Sequence, residues 1–88
     1  DGFYATTPAG DDATFVACRV TGATKGFRAK RPRSEFAACV ANGCAHSVYA
    51  DATGTQMRVT GGRSIQPVTA HRGGTVANIA ATGFLETV

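Results

Sequence analysis

Eighty-eight residues at 43% hydrophobic content make one small domain and exclude a globally disordered chain. Nine Lys and Arg against six Asp and Glu leave a net charge of +3, which favours polyanions and acidic surfaces as partners. No apolar run approaches the roughly 18 residues of a membrane-spanning helix, so no membrane span is expected.

Residues 1–12, "DGFYATTPAGDD", are rich in Gly, Pro, Thr and Asp and read as an extended N-terminal arm of the single domain 1–88. Phe3 and Tyr4 stand in it without periodic partners, as aromatics that dock on a neighbouring surface do. "ATFVACRVT", 13–21, alternates as a strand with Val16, Cys18 and Val20 on one face. Residues 22–33 read as a basic loop: Lys25, Arg28, Lys30, Arg31 and Arg33 supply the excess positive charge, and Phe27 lies among them with a ring suited to stacking on a base. Ser34 then reads as an N-cap and "EFAACVAN" as a short helix whose Phe36, Cys39 and Val40 form one apolar face. Asn42-Gly43 stops it.

"CAHSVYA", 44–50, and "TQMRVTG", 55–61, joined by "DATG", read as a β-hairpin. Cys44, His46 and Val48 share one of its faces, and Gln56 and Arg58 share another. "RSIQPVTAH", 63–71, reads as an edge strand because Pro67 cannot donate to a ladder. Residues 75–88 alternate well enough for a strand, although Val76, Ile79 and Ala80 also stand at helical spacing. No internal repeat is apparent. The expected fold is α+β: a mostly antiparallel sheet with one short helix packed across it. The alternative is a β-α-β-β-α-β split βαβ sandwich, which requires a second helix at 75–82.

Three cysteines, Cys18, Cys39 and Cys44, leave one over from any single disulfide. The spacing C-x4-C-x-H around Cys39, Cys44 and His46 permits zinc ligation, but the helix-end geometry and the remoteness of Cys18 speak against it. Buried thiols come first, a disulfide staple second, and neither metal nor cofactor is expected. His46 and His71 are the only histidines. Paired with basic residues, they have the chemistry for general acid–base cleavage of RNA.

Two functions follow. The first is a non-catalytic structural or binding module acting by association, such as a coat, filament or virion component or a small binding domain. Its contacts would be Phe3, Tyr4, Lys25, Phe27, Arg28, Lys30, Arg31 and Arg33. Its partner would be another copy, another protein or a polyanion. The alternative is a secreted cationic toxin or effector, a ribonuclease using His46 and His71. Asp1 in place of an initiating Met fits either a processed mature chain or an excised piece, and an extracellular or particle-associated location is expected. The scarcity of large apolar residues, beside many Ala, Thr and Gly, also favours assembly, because burial scales with apolar area.

Overall fold

The computed structural model describes residues 2–6, 12–31, 33–51 and 56–87, with residues 3–6, 12, 13, 30 and 31 described by their backbone alone. They form twelve short strands and one turn of 3₁₀ helix, and every strand pair is parallel. The expected antiparallel sheet with a packed helix, and the split βαβ alternative, are both overturned: the chain is a parallel β-solenoid of four rungs. Rung one holds β1 (Phe3–Thr6), β2 (Asp12–Val16) and β3 (Arg19–Thr21). Rung two holds β4 (Lys25–Arg31), β5 (Arg33–Ala37) and β6 (Val40–Asn42). Rung three holds β7 (His46–Ala50), β8 (Gln56–Thr60) and β9 (Arg63–Ile65). Rung four holds β10 (Ala70–Gly74), β11 (Ile79–Thr82) and β12 (Leu85–Thr87), with the 3₁₀ turn Val76–Asn78 before β11. Like strands stack into three sheets: A, in the order β1-β4-β7-β10; B, β11-β8-β5-β2; and C, β12-β9-β6-β3. No helix among the described residues is long and apolar enough to cross a membrane.

The stacking is a repeat that the sequence carries faintly. "FVACRVTG", 15–22, and "FAACVANG", 36–43, match at a spacing of 21 residues. The backbone repeats more faithfully than the side chains. Positive φ recurs at Ala17, Ala38, Gly61 and Gly83, between the second and third strand of every rung. It recurs again at Gly22, Gly43 and Gln66, after the third strand of each of the first three. These left-handed residues turn the chain from one sheet to the next.

The expected helix fails at one of these turns. Ala38, at φ 54°, divides "EFAACVAN" into β5 and β6. Ser34 is therefore not a cap; it lies buried in β5 with its hydroxyl unpartnered. Phe36 and Cys39 are buried as expected, but across a corner and not on a helix face. The hairpin also fails, because β7 and β8 belong to different sheets. Ala17 likewise breaks the strand at 13–21, leaving Val16 62% exposed while Val20 is buried.

Two of the expected contact elements change character. Most of the basic loop is the strand β4, and Arg33 opens β5 in another sheet. Residues 3–6 of the expected arm form β1, which pairs with β4, while 1 and 7–11 lie outside the described residues.

The interior is filled by ladders of equivalent residues. Phe36 stacks on Phe15 at 5.0 Å and 7° between ring planes, and tilts against Phe27 at 5.3 Å. Ser34 pairs with Met57 and Met57 with Ile79. Ala29, Ala41 and Ala50 are fully buried where larger side chains would force the sheets apart. The small-residue composition is thus what a narrow solenoid needs inside, since cores are close-packed.

Corner lengths differ in kind. The second and third strands of a rung are always separated by two residues, as at 17–18, 38–39, 61–62 and 83–84. The third strand and the next rung are separated by three or four. The first and second strands are separated by as many as five residues (7–11, 51–55) and as few as one (32).

Candidate functional site

Sheet A brings together the two segments that the sequence singled out. β1 lies beside β4, with Phe3 opposite Phe27 and Tyr4 opposite Arg28, and Arg28 is opposite Tyr49 on β7. The outer surface of this sheet carries Lys25, Arg28, His46 and Tyr49. Lys25 Nζ stands 4.4 Å over the Tyr49 ring, a cation–π contact. His46 meets the same ring edge-on at 5.5 Å, and its Nδ1 is buried without a partner. Gly73 makes room for both rings: a Cβ there would fall 2.4 Å from the His46 ring and 2.9 Å from Tyr49. Phe27 is elsewhere. At 1% exposure it belongs to the core, where its ring is closed to a nucleobase.

Arg28 is tied down. Its Nε and Nη2 donate to Asp51 Oδ1 and Oδ2 at 2.9 and 3.0 Å, with both side chains largely covered. Such a two-pronged pair is strong for a half-buried site. Asp51→Asn is expected to lower unfolding stability by about 1–2 kcal/mol in a urea titration. No measurable change would mean that the pair serves only to orient Arg28.

The two histidines lie on neighbouring strands but do not meet. Ala70 is the partner of His46 across the β7–β10 pairing, so His71 is only one position on. Yet His71 turns to the interior, where its Nδ1 lies 2.6 Å from Ser64 Oγ, and Ser64 Oγ donates to Ser47 Oγ. Ser47 and Ser64 are both fully buried. His46 packs on the outside with Tyr49. The rings lie on opposite faces of the sheet and do not converge on one scissile group.

Sheet B carries a groove that sequence reading did not single out. It encloses about 580 Å³ and is lined by Thr14, Arg33, Glu35, Gln56, Arg58 and Asn78, among others. Thr14, Glu35 and Arg58 succeed one another across β2, β5 and β8, and Arg33 and Gln56 form the next column. In parallel strands such columns repeat at about 4.8 Å, so the groove offers polar groups at a regular interval. Arg33 belongs both to this groove and to the basic segment, whose Lys30 and Arg31 end β4 of sheet A while Arg33 opens β5 of sheet B. The usable signal was the alternation at 55–61, which set Gln56 and Arg58 on one face.

The cysteines divide between two corners. Cys18 and Cys39 follow the positive-φ alanines at the second corner of rungs one and two, and Cys44 lies at the next corner against Gly26. All three are free thiols, with Cys39 and Cys44 buried and Cys18 half-buried. Burial pushes the Cys39 thiol above the ordinary range, opposed by the backbone N–H of Cys18. Among the described residues no group of three His, Cys, Asp or Glu is placed to hold a metal ion.

No family model matches the chain, and no curated protein or solved structure matches it. The functional reading therefore rests on the fold and its surfaces.

Proposed function

We propose that this chain is a non-catalytic module that works by association, holding an extended polyanion along the sheet B groove and the basic corner beside it. The supporting observation is that Arg33 lines the groove while continuing the basic run of β4. A solenoid suits this role, since stacked rungs make long surfaces of repeating groups. A coat, filament or particle component outside the cell is the finer form of the proposal, in which the partner is itself an assembly.

The test is a salt titration of binding to fluorescent single-stranded DNA and to poly-glutamate. Arg33→Ser with Arg58→Ser should weaken binding and flatten its dependence on salt. The log–log slope should shrink by about 0.7 for each phosphate of a single strand that is no longer neutralised. Each change should cost less than about 1 kcal/mol of stability, as for exposed charges. Glu35→Gln should act in the opposite sense and tighten binding, because it removes the one negative charge among the described residues that line the groove. Equal affinities in all three proteins would exclude the groove as the binding surface.

A further inference from the structure

Cys18 and Cys39 hold equivalent places in adjacent rungs. Val40 N–H donates to the Cys18 carbonyl at 2.9 Å, so the two corners lie one strand spacing apart. That spacing, about 4.8 Å, falls within the Cα separation of about 4.4–6.8 Å found in disulfides. The Cys18 side chain acts directly on the Cys39 thiol. Cys39 Sγ crosses the rung boundary to lie 3.6 Å from the Phe15 carbonyl, and Cys18 Sγ lies 3.6 Å from the Val16 carbonyl. Cys44 Sγ, by contrast, sits at another corner, near the Asn42 carbonyl and Gly26.

We propose that Cys18 and Cys39 form a rung-to-rung disulfide when the protein meets a small-molecule disulfide such as oxidised glutathione, and that Cys44 stays a thiol. This inference is independent of polyanion binding. Cys18 is the half-buried member and the first to react. Its thiolate attacks one sulfur of the oxidant, forming a mixed disulfide and releasing one glutathione. The Cys39 thiolate then attacks Cys18 Sγ and releases the second. The protein dithiol loses two electrons and two protons, and both protons end on the two glutathione thiols. Cys39 is the slower nucleophile, because burial favours its protonated form. The product staples the first rung, which carries β1, to the second, which carries β4.

The experiment incubates the folded protein with excess oxidised glutathione, quenches it with an alkylating agent and maps tryptic peptides without reduction. Cys18 falls in peptide 1–19, whereas Cys39 and Cys44 share peptide 34–58. The expected product joins these two peptides, and fragment ions place the link at Cys39 and the alkyl group at Cys44. Cys44→Ala should give the same product, and Cys18→Ser should give none. The melting temperature should rise by roughly 10–20 °C on oxidation, from closure of a loop of about 20 residues, and fall back with a phosphine reductant. A link to Cys44, a Cys18–Cys18 dimer as the main product, loss of the circular dichroism signal on oxidation, or no link in excess oxidant would each overturn the proposal.

Discussion

Gly62→Ala is expected to destabilise the fold by roughly 4 kcal/mol or more, most of the stability of a domain at the low end of the usual range of about 5–15 kcal/mol. A Cβ at this position would lie 2.1 Å from the Cys39 carbonyl oxygen and 2.7 Å from the Cys39 nitrogen. Both are backbone atoms of the rung below, and neither can move without shifting the ladder that Arg63 N–H makes to that carbonyl at 3.1 Å. The backbone is also left-handed there, at φ 73°. Gly22 is the matched control. Its φ is 74°, but a Cβ would meet nothing within 4 Å. Gly22→Ala should therefore cost only the left-handed penalty of about 1–2 kcal/mol. Denaturant unfolding of the two variants separates steric contact from backbone conformation, and equal losses would show that the rungs are not in close contact at Gly62.

Phe36→Ala should cost about 3–5 kcal/mol, the range for deleting a fully buried aromatic. Phe36 is completely buried, stacked on Phe15 of the first rung and tilted against Phe27 of its own. Its removal opens a cavity that touches two rungs, and rigid parallel sheets cannot collapse into it. Phe15 is only partly buried, so Phe15→Ala should cost distinctly less. A loss below about 1 kcal/mol at Phe36 would be incompatible with its place at the centre of the ladder.

Alternation made about half of the strands legible, whereas β1 reads as an arm, β4 as a loop and β5 and β6 as a helix. Readings at 13–21, 44–50, 55–61 and 63–71 fall on β2, β3, β7, β8, β9 and part of β10. What alternation cannot carry is the partner. A strand edge hydrogen-bonds to whatever lies beside it, and here that is the strand one rung away, more than twenty residues distant in sequence. The information was in "FVACRVTG" and "FAACVANG", but the third rung has "VTGGRSIQ" at the same place, and only the turn conformation survives. Phe36, Cys39 and Val40 imitated a helix because a strand, a two-residue corner and a second strand happen to space apolar residues by three and four. The basic residues were visible by charge. Their division between two sheets, with Arg28 in β4 held by Asp51 and Arg33 in β5 beside the groove, is not encoded in composition.

The unequal corners bear on how such a chain tolerates change. An inserted residue between Ala17 and Cys18 would displace β3 against β6 and break the two-residue corner that every rung shares. Between β7 and β8 the chain already spans five residues where the rung below uses one. Extra sequence there meets only a slowly growing loop-closure entropy. One edge of the solenoid thus varies widely in length, a second by a single residue and the third not at all, so new recognition loops can be acquired, or grafted, along the first edge with the ladders behind them unaltered.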